Sequence, residues 1–166
     1  MRRLFIVITF TVFAKTFFAQ KMDSVNYRKN AISAEGLGNA FIYSFNYERL
    51  ISEDQQGFFS LRIGLGVGNG TLSPILINHI FTMNRYNHCE IGAGIALGTR
   101  TDSKTKNIYI DIPYATANLM YRYQKPRGHF IFRAGWTPIY QFKQGGVDII
   151  TFLYLIFPGV SVGYTF

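Results

Sequence analysis

The chain has 166 residues, of which 48% are hydrophobic, 17% aromatic and 16% charged. This length suits one domain and excludes two. The charged fraction lies well below the roughly 25% usual in soluble domains, so the chain has too few charged residues to cover a water-soluble surface. The single cysteine, Cys89, excludes an intramolecular disulfide framework and any site built from several cysteine ligands.

Residues 1–19 are predicted to form a cleaved secretory signal peptide. Arg2 and Arg3 supply its positive start, and the apolar run 4–14 is shorter than the ~20 residues that a membrane-spanning helix needs. We expect cleavage after Ala19, although Phe17 stands where a small residue is usual and the cut could lie a few positions away. The alternative interpretation is a buried amino-terminal helix.

Loss of this segment lowers the formal net charge from +8 to +5, because it removes Arg2, Arg3 and Lys15 and no acid. The other basic residues are scattered among turns and strands and form no stripe interleaved with exposed aromatic residues. Such a stripe is the footprint of nucleic-acid binding, so no nucleic-acid partner is expected.

From residue 31 onward the sequence alternates with a period of two, and no stretch sustains a helical period. The rest of the chain is therefore predicted to be all-β, with residues 20–30 as a short segment before the first strand. An even number of strands suits an antiparallel up-and-down barrel. Eight strands are expected, at residues 31–37, 40–50, 58–68, 73–83, 88–99, 109–123, 129–141 and 158–166.

Large apolar residues share one face of these strands, and the opposite face carries glycine, serine and isolated charges. The second set is too small and too poor in charge to form a hydrated coat, so the apolar set must lie outside. Lipid-facing apolar positions that alternate with lumen positions are typical of a transmembrane β-barrel, and inward glycines suit its narrow lumen. The expected outward rows are Phe41, Tyr43, Phe45 and Tyr47; Phe59, Leu61, Ile63, Leu65 and Val67; Cys89, Ile91, Ala93, Ile95 and Leu97; Phe130, Phe132, Ala134 and Trp136; and Val160, Val162, Tyr164 and Phe166.

The connections fall into two classes. Residues 52–57, 84–87 and 124–128 form short turns on the side of the termini, whereas residues 100–107 and 143–157 form longer connections on the other side. This asymmetry is typical of a membrane-spanning barrel, and so are aromatic residues concentrated toward both rims, although aromatic residues favour strands in any environment.

Five segments carry a family resemblance: FIYSFNYER at 41–49, RIGLGVG at 62–68, EIGAG at 90–94, YRY at 121–123 and GVSVGYTF at 159–166. With them the chain resembles the small eight-stranded outer-membrane barrels of Gram-negative bacteria, of the OmpA/OmpX type. The resemblance implies an outer-membrane barrel over residues 31–166, a periplasmic segment at 20–30 and contact with outer-membrane lipids. The family includes adhesion-related, structural and enzymatic members, so it transfers no function. The final strand is similar to the family's assembly signal, which implies recognition by the outer-membrane insertion machinery through Val160, Val162, Tyr164 and Phe166.

Six charged residues share the inward phase and make the strongest candidate site. A charge on the lipid face costs about 2–4 kcal/mol near the midplane, which explains their common orientation. Three acids and three arginines can compensate one another and block the lumen through a hydrogen-bonded network. A gated proton or ion path is the alternative. The expected lumen charge network consists of Glu35, Glu48, Arg62, Glu90, Arg122 and Arg133.

A catalytic role would fall on His79, which is expected to face lipid with no serine nucleophile within reach. His88 and His129 lie near turns and are interpreted as rim residues, and three unclustered histidines do not form a metal site. No catalytic residue, metal or cofactor is therefore assigned.

Residues 145–157 are unusually apolar for an external loop. They either extend the flanking strands and pack over the barrel mouth, or form a docking patch for an extracellular partner or a lipid acyl chain. Arg100, Lys104 and Lys106 either contact lipid phosphates or lie in a solvated loop. The candidate patch within the 143–157 loop consists of Ile149, Ile150, Phe152, Leu153, Tyr154 and Leu155.

Together these patterns predict a monomeric outer-membrane barrel with a side-chain-filled lumen and a structural or surface-interaction role. A lipid-A-modifying enzyme is the second interpretation. A narrow channel is the third.

Overall fold

The computed structural model describes residues 27–54, 57–67, 71–101, 108–110, 114–141 and 156–166. Over these ranges no helix has the length and apolar character needed to cross a membrane. The described strands are β1 (Asn30–Leu37), β2 (Tyr43–Asp54), β3 (Gly57–Gly66), β4 (Thr71–Thr82), β5 (Asn87–Thr101), β6 (Ile108–Ile110), β7 (Tyr114–Gln124), β8 (Phe130–Trp136), β9 (Ile139–Gln141) and β10 (Pro158–Thr165).

Several predicted features lie outside the described residues. They are the signal peptide at 1–19, most of the segment 20–30, and most of the connections 100–107 and 143–157. Arg100 belongs to β5, but its side chain is not among those described. Also outside are Lys104, Lys106 and the whole candidate patch of Ile149, Ile150, Phe152, Leu153, Tyr154 and Leu155.

The strands form one closed antiparallel barrel, because β1 pairs with β2 on one side and with β10 on the other. The short strand β6 pairs with β5 just beyond the stretch of β5 that pairs with β7, so β6 and β7 occupy one position in the barrel wall. In the same way β8 and β9 both pair with β7 and share one position. The barrel therefore has eight strand positions, and the predicted all-β, eight-stranded fold is confirmed.

The two ends of the barrel differ. At one end lie the start of β1, the end of β10 and the connections at 55–56, 83–86 and 125–129, and we call this the turn end. At the opposite end, the loop end, β1 joins β2 through residues 38–42, and the chain between β9 and β10 is the longest connection. The start of β1 and the end of β10 thus share the side that carries the short turns, as the sequence indicated.

The expected separation of faces is also found. Phe45 and Leu65 are each 66% exposed on the outer wall, whereas Arg62 and Glu90 are 0% exposed in the lumen. Every residue of the outward rows that begin at Phe59, Cys89, Phe130 and Val160 is exposed or half-buried. The wall is therefore apolar and the centre is polar, the reverse of a soluble β-barrel.

The expected outward position of Phe41 is wrong. The strand begins at Tyr43, and residues 38–42 form a tight connection; φ is positive at Gly38 and Phe41 within it and at Leu37, the last residue of β1. Backbone bonds from Leu37 N to Ile42 O (2.7 Å) and from Phe41 N to Gly38 O (3.1 Å) hold this conformation. The turn directs the Phe41 ring toward Tyr114 and Phe157, at the mouth of the barrel.

Candidate functional site

Five charged side chains meet in the lumen near the turn end. Nη1 of Arg122 donates to both acids, at 2.8 Å from Glu48 Oε1 and 3.0 Å from Glu90 Oε2. Glu48 Oε2 lies 3.3 Å from Arg133 Nη2, and Glu90 Oε1 lies 3.4 Å from Arg62 Nη2. The two carboxylates thus link three guanidinium groups into one cluster, which we call the charge layer, and every member is at most 1% exposed.

Register explains why these residues meet. Glu48 and Arg62 are direct partners across β2 and β3, and Arg122 and Arg133 are partners across β7 and β8. Facing strands of a narrow barrel bring their inward side chains together at the axis. The five inward charges therefore lie at one height, where they pair with each other beside buried apolar side chains such as Leu76 and Met120.

A ladder of uncharged polar groups extends the charge layer. Ser60 Oγ donates to Glu48 Oε1 at 2.6 Å, and Asn78 Nδ2 donates to Ser60 Oγ at 3.3 Å. Asn118 Nδ2 completes the path, with Asn78 Oδ1 at 3.0 Å and Glu90 Oε1 at 3.2 Å. These bonds connect the two carboxylates on one side, and Arg122 connects them on the other, so the hydrogen bonds form a closed ring.

The structure places Glu35 in the lumen but apart from this ring. Its Oε2 accepts hydrogen bonds from Ser44 Oγ at 3.3 Å and from Asn46 Nδ2 at 3.2 Å. The charge layer consequently contains three arginines and two acids, and carries one excess positive charge. Among the described residues, Nε and Nη1 of both Arg62 and Arg133 have no hydrogen-bond partner.

An apolar cluster closes the turn end of the lumen. Tyr27, which precedes β1, is 6% exposed, and its ring meets Phe58 at 4.8 Å and His88 at 5.3 Å between centroids, both edge-on. Its hydroxyl donates to Arg85 O at 3.0 Å, and Ile80 packs against the same group. We call this cluster the turn-end plug.

The turn-end plug was missed by the sequence analysis, and the expectation that His88 is a rim residue is wrong. His88 is 1% exposed and points into the lumen. A signal was available, because His88 and Glu90 are two residues apart in one strand and must share a face. Tyr27 carried no comparable signal, since it lies before the alternating region.

A second cluster closes the loop end. Ala40, Leu72, Ala96 and Ile139 are at most 5% exposed and are packed by Phe41 and Tyr114. Beside them Thr116 Oγ1 donates to Asn39 Oδ1 at 2.5 Å, which ties the β1–β2 connection to β7. This loop-end plug and the turn-end plug lie on either side of the charge layer.

The remaining histidines lie outside the lumen. The His79 ring contacts Phe59 and Phe81 on the wall, at 4.4 and 4.1 Å between centroids. His129 stacks on Tyr164 at the turn end. Within the described ranges no three His, Cys, Asp or Glu residues are grouped as metal ligands usually are. The residues with assembly-signal character, Val160, Val162, Tyr164 and Phe166, all face outward and are 46–49% exposed.

This geometry defines a class of protein: a small, closed, up-and-down β-barrel with an apolar wall, a layer of paired charges in the lumen and a buried apolar cluster toward each end. No family model matches the chain, and no curated protein matches it. Among solved structures, the chain is similar to the crystal structure of the N-terminal β-barrel domain of Pseudomonas aeruginosa OprF. The match has 17% sequence identity and a TM-score of 0.56, and covers 84% of this chain and 98% of that one. The fold is that of a small OmpA-like barrel.

Proposed function

We propose that this protein is an outer-membrane β-barrel of a Gram-negative bacterium, with a structural or surface-interaction role and a lumen that conducts nothing. One observation carries the proposal: the large apolar side chains are exposed on the wall, whereas the five residues of the charge layer are enclosed in the lumen and paired. In water this arrangement would expose an apolar band around the whole barrel. In a bilayer the same band faces hydrocarbon, and the closed ladder of strands satisfies the backbone.

The filled lumen supports a role that does not depend on transport. The charge layer lies at the centre, and the two plugs lie on either side of it along the barrel axis. Among the described residues, these buried groups occupy the space that an ion path would need. The fold shared with the OprF barrel domain supports the outer membrane as the location.

Fluorescence of the single tryptophan tests the orientation of the wall. Trp136 is 48% exposed on the outer face, and the chain contains no other tryptophan. In vesicles whose acyl chains carry bromine, Trp136 emission is expected to be strongly quenched, while aqueous acrylamide quenches it weakly. A matched variant combines Trp136→Phe with Phe58→Trp, which moves the indole into the turn-end plug, and should be quenched less by brominated chains. Strong acrylamide quenching of Trp136 in the folded, vesicle-bound protein would refute the inside-out arrangement.

The enzymatic alternative has a separate test. The folded protein is incubated with lipopolysaccharide, and the mass of the lipid A is measured. An unchanged acylation pattern is expected. A changed pattern would replace the structural role by a lipid-modifying one.

A further inference from the structure

The outer wall has a depression that runs along β1. Its floor steps down in size from Ile32 through Ala34 to Gly36, where an added Cβ would meet no atom within 4 Å. Larger side chains form its two walls, since the β2 and β10 partners of these three residues are tyrosine, phenylalanine or valine. The register pairs Ile32 with Tyr47 and Tyr164, Ala34 with Phe45 and Val162, and Gly36 with Tyr43 and Val160.

The depression, which we call the β1 groove, is large and apolar. Around Ile32 and Ala34 it is part of an open depression of about 1070 Å³, which extends sideways across the strands to Phe130 on β8 and Leu65 on β3. Sites that hold drug-sized ligands have volumes of about 300–1,000 Å³. This open depression is therefore large enough to receive an acyl chain.

A cationic cluster lies at the turn end of the β1 groove. His129 Nδ1 is 3.0 Å from Thr165 O, and because a carbonyl can only accept, Nδ1 must be the donor. In the neutral ring Nε2 is then an acceptor, and Arg28 Nη2 donates to it at 3.2 Å. Arg28 Nε donates to the backbone oxygen Arg127 O, also at 3.2 Å, so Arg28 links His129 to the turn that carries Arg127.

One aromatic residue joins the cationic cluster to the β1 groove. Tyr164 lines the groove, and its ring stacks on His129 with centroids 4.6 Å apart and planes 16° apart. An acyl chain against Tyr164 would therefore be separated from Arg28 by the stacked rings of Tyr164 and His129. The surrounding turn end is strongly basic by sequence, with Glu53 and Asp54 opposed by Arg28, Lys29, Arg49, Arg85, Lys125 and Arg127.

We propose that the β1 groove and its cationic cluster bind one anionic glycerophospholipid of the phosphatidylglycerol type. The phosphate is held by Arg28 and Arg127, and one acyl chain lies between the β2 and β10 rows over Ala34. Charge complementarity favours a lipid with net negative charge over a zwitterionic one. The inference rests on the proposed membrane location, and it specifies the leaflet at the turn end.

Native mass spectrometry of the folded barrel in mild detergent tests this site. Dioleoylphosphatidylglycerol and dioleoylphosphatidylcholine are added at equal concentration, and wild type is expected to retain one phosphatidylglycerol in preference. Basic side chains near an anionic surface each contribute roughly fivefold in affinity. Arg28→Gln and Arg127→Gln should therefore each weaken phosphatidylglycerol binding about fivefold, with phosphatidylcholine unaffected.

The groove has its own variant and a matched control. Ala34→Phe fills the floor and should weaken the binding of both lipids, whereas Ala93→Phe, an outward alanine on β5 across the barrel, should leave both unchanged. Arg85→Gln is the control for charge, because residue 85 lies in the β4–β5 turn, on the side of the barrel opposite the β1–β10 pair.

Failure of the proposed membrane location and failure of the lipid site give different results. If the protein fails to insert into vesicles, the proposed membrane location is wrong. If it inserts and folds, the lipid site is overturned by equal retention of the two lipids, by equal effects of Arg28→Gln and Arg85→Gln, or by normal binding to Ala34→Phe.

Discussion

Glu48 is the acid whose loss should disturb the charge layer most, because its contacts with two arginines, at 2.8 and 3.3 Å, are shorter than the two that Glu90 makes, at 3.0 and 3.4 Å. The variant Glu48→Gln keeps the shape and can still accept from Ser60, but it removes the negative charge. Arg133 then has no carboxylate within 4 Å among the described residues. The excess charge of the layer rises from one to two, in a place with no direct access to bulk water.

The magnitude follows from the two contacts. Unit charges 4 Å apart attract by about 4 kcal/mol at an effective dielectric constant of 20. Both arginines approach Glu48 more closely than that, but their own burial offsets much of the attraction. Removing one partner of a buried pair typically costs about 3–5 kcal/mol, since the other charge stays buried and uncompensated. We expect Glu48→Gln to lower the free energy of unfolding by that amount.

Urea unfolding in phospholipid vesicles, followed by Trp136 fluorescence, measures this change. Adding Arg133→Gln restores the original excess charge, so the double variant should be more stable than the sum of the single variants by about 1–3 kcal/mol. Arg49→Gln, which removes an exposed charge at the turn end, is the control and should change stability by less than about 0.5 kcal/mol. An effect of Glu48→Gln below about 1 kcal/mol, or additive single variants, would refute the ion-pair account.

Three further predictions concern the two plugs and the glycines. The double variant Glu48→Gln with Glu90→Gln should conduct no more than wild type in planar bilayers, because both plugs remain; a large conductance would revive the channel. Tyr27→Ala should cost about 3 kcal/mol and Tyr27→Phe about 1 kcal/mol in the same urea assay, the latter from one lost hydrogen bond; equal effects would show that the ring seals nothing. Gly94→Ala should cost about 1–3 kcal/mol, because its Cβ would collide with the backbone of β4, whereas Gly36→Ala should be nearly neutral; similar values for the two would contradict the packing described.

Strand alternation was enough to predict which face most residues occupy. A two-residue period forces Glu48, Arg62 and Glu90 inward once the neighbouring apolar residues are placed outward. The same reasoning holds for Arg122 and Arg133. Alternation says nothing about side-chain pairing, however, and the separation of Glu35 from the arginines emerged only from the three-dimensional structure.

The two plugs contain residues whose positions strand alternation does not predict. Phe41 leaves the period because the connection before β2 takes left-handed backbone angles, which no pattern of side-chain polarity encodes. Tyr27 lies ahead of β1, and its burial depends on a turn some sixty positions further along the chain. The position of Phe41 depends on the backbone and that of Tyr27 on a long-range contact, whereas alternation indicates only which face of a strand a residue occupies.

Closure through β1 and β10 sets a demand on assembly. Every other pair of neighbouring strands joins segments close in the chain, but Ala31 must find Thr165. That last seam carries the largest loop-entropy penalty, which falls once the intervening hairpins have formed. A register shift of one residue at this seam would turn Glu35 toward hydrocarbon, so a misaligned barrel would be less stable. The buried carboxylate of Glu35 thereby favours the correct register when β1 and β10 pair.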